Sequence, residues 1–141
     1  PDVSMPVDVT FADDDRPLID LLGFDPIIID ELLEVTLYWR ARVDMPADFM
    51  CFVHLLDGTG TAVVQLDGHP AGNSYPTGQW VEGEVVVDSM RLDLSTVPPG
   101  AYQLATGFYR NVEGLPRLEA AASDGPVPDG RAILSEPIIV P

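Results

Sequence analysis

The sequence predicts an all-β fold: an antiparallel β-sandwich of about eight strands, immunoglobulin-like or jelly-roll in architecture. Three observations carry that prediction. Fourteen prolines and twelve glycines cut the chain into short pieces. Between them the apolar residues recur at every second position, the period of a strand with one buried face. No helical segments alternate with those pieces, as a parallel α/β sheet requires.

The strands follow in order. VDVTFA (7–12) places Val7, Val9 and Phe11 on one face. PLIDLLGFD (17–25) reads as a mixed strand closed by Gly23. LLEVTLYWRA (32–41) alternates most cleanly, with Leu33, Val35, Leu37, Trp39 and Ala41 facing one way and Glu34, Thr36, Tyr38 and Arg40 the other. DELLE (30–34) has the length of one helical turn, but it runs into that β-branched and aromatic stretch, which favours strand. FMCFVHLLD (49–57), TAVVQLD (61–67), EVVVDSMRLDL (84–94) and AYQLATGFY (101–109) continue the pattern, and a last strand lies within RAILSEPIIV (131–140). Two long loops remain, 68–83 and 119–130, of the kind that often carries function.

The chain of 141 residues is the size of a single domain, 1–141. Its apolar runs fall far short of the roughly 18–20 residues that span a bilayer. It starts at Pro1 and is expected to be a piece of a longer protein. The net charge is −16, and all seven basic residues are arginine. Such a surface repels phosphate backbones and anionic headgroups, so neither nucleic acid nor direct membrane insertion is an expected mode of action. Cys51 is the single cysteine; it lies in an apolar run and is expected to act as a small buried hydrophobe.

Residues 51–70 raise the main functional question, because they hold both histidines. A turn at Thr59-Gly60 that pairs Asp57 with Ala62 sets Leu55 opposite Val64 and Val53 opposite Leu66, giving one apolar face. The same register sets His54 opposite Gln65 and Phe52 opposite Asp67. His54 and Asp67 then share the other face as diagonal neighbours, roughly 7–8 Å apart. Neither histidine has a metal-ligand spacing, and no metal is assigned. FADDDRP (11–17) and LDGTGT (56–61) resemble fragments of acidic calcium loops without the full set of oxygen ligands. No serine stands in a Gly-x-Ser-x-Gly elbow, and no catalytic residue or cofactor is assigned.

The succession of LEVTLYWRA, FVHLLDGTGTAVVQLDGHPAGNSYPTGQWVEGEVVVDSMRLDL, VPPGAYQLATGFY and GLPRLEAAASDG resembles a known family. It is similar to the C-terminal extracytoplasmic β-sandwich of bacterial multi-pass membrane glycosyltransferases, enzymes that resemble dolichyl-phosphate-mannose protein mannosyltransferases. The matching features are Trp39, His54, Asp67, Pro70, Tyr75, Pro76, Trp80, Gly83, Gly100, Tyr102, Gly107 and Tyr109. The resemblance implies a non-catalytic accessory domain in the cell envelope, outside the membrane. Its partner would be a glycan or the membrane-embedded part of its parent protein. The alternative is a carbohydrate-binding module. There Trp80 and Tyr75 would stack on sugar faces, while His54, Gln65, Asp67 and Arg40 bond hydroxyls. A competing role for Trp80 is to plug the open end of the sandwich.

Overall fold

The computed structural model describes residues 5–70, 74–122, 125–134 and 136–141. They form eleven strands: β1 (Met5–Asp13), β2 (Arg16–Ile29), β3 (Leu32–Ala41), β4 (Phe49–Leu56), β5 (Ala62–Gly68), β6 (Val85–Asp93), β7 (Gly100–Arg110), β8 (Glu119–Ala122), β9 (Gly125–Val127), β10 (Ala132–Ile133) and β11 (Ile138–Val140). One sheet, here sheet A, runs β6-β3-β2-β1-β8-β9; the other, sheet B, runs β10-β7-β4-β5, with β11 also on β7. All pairings are antiparallel.

The all-β sandwich stands, and its strand order is immunoglobulin-like. The orders β6-β3-β2 and β10-β7-β4-β5 reproduce the E-B-A and G-F-C-C′ sheets of that fold. A second mark agrees. The Tyr102 hydroxyl, near the start of β7, donates to the Pro98 carbonyl four residues upstream at 2.7 Å. That is the tyrosine corner found where strand F begins in such sandwiches.

The strand count exceeds eight for identifiable reasons. The expected loop 119–130 holds β8 and β9, whose Glu-Ala-Ala-Ala and Gly-Pro-Val sequences carry little β-propensity. They form because β1 offers a ladder for β8 from Val9 to Ala12. The last strand divides into β10 and β11, with Pro137, which lacks a backbone donor, between them. Gly23 does not close β2. The strand continues to Ile29, and an irregularity between Leu21 and Gly23 inserts Leu22. That extra residue lets Leu21 and Phe24, three positions apart, both point inward.

The core lies between the sheets. Trp39 of β3 meets Phe108 of β7 at a ring separation of 4.7 Å, with Phe11 of β1 packed edge-on to both. Cys51 is fully buried among these side chains, as expected, and burial pushes its thiol pKa well up. On β6, an edge strand among the described residues, Asp88 points inward. An inward charge on an edge strand disfavours the addition of further strands.

β7 meets the chain's later segments at close range. A Cβ at Gly107 would lie 2.4 Å from the Gly130 carbonyl and 2.7 Å from the Phe52 ring. Gly107→Ala therefore forces backbone apart and is expected to cost about 1–3 kcal/mol, the usual penalty of overpacking. Urea denaturation of the variant checks this; an unchanged midpoint would show that the layer has slack.

Candidate functional site

The hairpin register matches the expectation where it matters. His54 pairs with Gln65, Phe52 with Asp67, Val53 with Leu66 and Leu55 with Val64. The turn differs: a bulge between Leu55 and Leu56 pairs Leu56, not Asp57, with Ala62. Asp57 is thereby released to the turn, where its carboxylate accepts from the backbone N–H groups of Thr59 and Thr61. The Thr59 hydroxyl also donates to it at 2.6 Å, and that bond first, then the two backbone bonds, hold its pKa below the ordinary value. The first acidic fragment is committed as well, since Asp13 pairs with Arg110. Among the described residues no three His, Cys, Asp or Glu side chains converge as a metal centre would need.

The six residues expected to hold a sugar do not assemble into one site. His54, Gln65 and Asp67 share the outer face of sheet B, but His54 is only 7% exposed. Its ring lies 4.8 Å from Phe52, and its Nδ1 has no hydrogen-bond partner among the described residues. Asp67 accepts a 2.8 Å bond from the Tyr109 hydroxyl, whose pKa is pushed up to about 12 by burial and then by that carboxylate. Gln65 alone of the three is exposed without such an engagement.

Trp80 is 1% exposed, and the core claims its ring. It packs edge-on to Phe108 at 6.4 Å, and its Nε1–H donates to the Tyr75 carbonyl at 3.1 Å. A buried face cannot stack on a sugar, so the structure corrects that expectation in favour of the plug. Tyr75 leans on Trp80 at 6.5 Å and gives its hydroxyl to Glu84, which raises the tyrosine pKa. The loop owes this order to Thr77, which is fully buried. Its Oγ1 accepts from the Phe49 N–H and donates to the Ala47 carbonyl, each at 2.8 Å.

Arg40 lies on the other sheet. On the outer face of sheet A, Thr10, Asp20 and Arg40 stand side by side across β1, β2 and β3. Asp20 is 7% exposed and accepts from Thr10 Oγ1 at 2.8 Å, Arg40 Nη2 at 2.8 Å and Arg42 Nη1 at 3.4 Å. One buried carboxylate thus fixes two guanidinium groups, each about half exposed. Sequence reasoning missed Asp20 and Arg42, because their convergence depends on the register of three strands.

Beside this cluster an open trough of about 1010 Å³ runs over β1, β8 and β9. Small side chains, Thr10, Ala12 and Ala121, lie low along it. Arg42 and Asp15 border one side, and Arg117, Glu119 and Asp129 the other. The lining therefore combines guanidinium and carboxylate groups with small apolar side chains. The volume stands at the top of the roughly 300–1,000 Å³ range of small-ligand sites. The sequence hid the trough because its far wall is built by the segment that reads as a loop.

No protein-family model, no curated protein and no solved structure matches this chain.

The burial of Trp80 yields a direct test. Trp80→Ala is expected to lower stability by about 3–5 kcal/mol, as for other buried aromatics. Trp80→Phe is expected to cost less. Denaturant titrations measure both; an alanine variant as stable as the parent would mean that the indole is not part of the core.

Proposed function

We propose that this chain is a non-catalytic accessory module of a membrane glycosyltransferase or another cell-envelope protein, and that it holds a glycan segment in the trough on sheet A. The observation that carries the reading is the trough itself, with guanidinium and carboxylate groups set around small apolar side chains. Sugar hydroxyls both donate and accept, so they can satisfy arginines and carboxylates together. The C–H faces of a sugar ring lie well on alanine methyl groups. Asp20 favours the reading further, because buried carboxylates that anchor arginines keep them from collapsing onto an occupant.

Several features support a role without turnover. The Cys51 thiol is buried with its proton held tightly, which is the opposite of an activated nucleophile. His54 faces Gln65 and Ala105 across its strands and stacks on Phe52, so no hydroxyl nucleophile stands opposite it. The cell-envelope setting rests on the family resemblance.

A glycan array probed with the whole chain tests the proposal, followed by two variants on any hit. Ala121→Trp puts a bulky ring on an exposed position of the trough and is expected to reduce binding at least about tenfold, roughly 1.4 kcal/mol. Gln65→Ala, on the opposite sheet, is expected to leave binding unchanged. Loss with Gln65→Ala but not with Ala121→Trp would move the site to sheet B, and an array without hits would remove the glycan reading.

A further inference from the structure

The segment that walls the trough has a second face, where Arg117 lies over Phe52, the ring neighbour of the buried His54. Residues 116–118 first add to sheet B: Arg110 N–H donates to the Pro116 carbonyl at 2.8 Å and Leu118 N–H to the Phe108 carbonyl at 2.9 Å. The chain then crosses to sheet A as β8. It returns through the turn Pro128–Gly130, which is locked against the crossover. Gly130 has φ +59°, and a Cβ there would lie 2.2 Å from the Leu118 carbonyl. Arg117 Nη1 also donates to the Asp129 carbonyl at 3.2 Å.

A continuous packed layer joins this segment to His54. The Arg117 guanidinium lies 4.6 Å over the Phe52 ring, and Phe52 lies 4.8 Å from His54. Gly107, without a side chain, lets Gly130 and Phe52 close on the same spot. Charged and titratable groups reach His54 from each neighbouring element. β5 contributes Asp67, already bonded to the Tyr109 hydroxyl of β7. The crossover contributes Arg117, and the stretch into β10 contributes Arg131. Asp129 on the turn is exposed to solvent. A proton on His54 would therefore add a third cation to the field of Arg117 and Arg131, offset in part by Asp67.

We propose that protonation of His54 loosens the 116–118 crossover and the 128–130 turn from sheet B, so that mild acid reshapes the trough wall. The inference concerns this segment alone and holds whatever the trough binds. The direction of the effect follows from linkage. Burial, then Arg117 and to a smaller degree Arg131, hold the His54 pKa below its ordinary 6.5, while Asp67 acts the other way. The unfolded or opened state therefore binds the proton more readily. The docked state keeps its full stability above about pH 6.5 and loses it as pH falls toward the depressed folded value.

Amide hydrogen exchange on the intact chain between about pH 7 and about pH 5 tests this, with rates corrected for the intrinsic pH dependence. Protection of the Leu118 and Arg110 amides is expected to fall, while that of Val53 in the central strand does not. In His54→Phe, which keeps a flat ring on Phe52 and retains His69, the fall is expected to vanish. A fall of the same size in that variant, or none in the parent chain, overturns the proposal. Arg117→Gln gives an independent reading that does not depend on His54→Phe folding. Followed by NMR, the His54 imidazole is expected to titrate at higher pH in Arg117→Gln. An unchanged midpoint would show that the crossover and the histidine are not coupled.

Discussion

The contact between Trp39 of β3 and Phe108 of β7 sets the frame for this molecule. It spans the two sheets, with ring centres 4.7 Å apart, and Phe11 and Trp80 arrive edge-on around it. An edge-to-face pair adds about 0.5–1.5 kcal/mol beyond the area it buries, and Phe108 makes three. The more important effect is on register. Because Trp39 must point inward, Arg40 must point outward, directly beside Asp20 on β2. Because Phe11 must point inward, Thr10 must point outward on the other side of Asp20. A hydrophobic decision inside the sandwich thus arranges a polar cluster outside it.

The same pattern explains what the sequence could and could not show. β3 was legible because its alternation is unbroken over ten residues, and the β4–β5 register was legible because a slip would expose Val53 and Leu55. Trp80 was ambiguous because nothing local tells a loop aromatic that plugs a core from one that faces water. The bond from its indole to the Tyr75 carbonyl and the buried Thr77 decide the matter, and both rely on partners supplied by the folded chain. Residue chemistry groups Arg40 with His54, Gln65 and Asp67, although β3 and β4 belong to different sheets. Alternation says which side of a strand a residue takes; it says nothing of which sheet the strand joins.

The strands that depart from the immunoglobulin-like frame are the ones that make the trough. Sheet A would end at β2 in the simpler E-B-A arrangement, but β1, β8 and β9 widen it. Their outward residues are small along the middle and charged along the borders, so the added width is concave. Binding loops of such sandwiches more often cluster at the ends. Here Trp80 closes the core beside Phe108, and the trough lies on a face.

The way β7 is covered bears on how the chain reaches this state. Its outer edge is closed by three separate pieces: 116–118 against Phe108 and Arg110, 132–134 against Leu104 to Thr106, and β11 against Gly100 to Tyr102. All three follow β7 in the sequence, and the piece that meets its beginning arrives last. During vectorial synthesis, β7 can pair with β4 at once, yet its far side is not fully covered until some thirty further residues have emerged, an interval of a few seconds at roughly 5–20 residues per second. In that interval Leu104, Ala105 and their neighbours form a half-finished strand able to recruit whatever extended chain is near. Closure proceeds from the distal end of β7 back to its start, like a seam sewn in reverse, and a nascent chain halted before residue 132 would carry Leu104 and Ala105 uncovered.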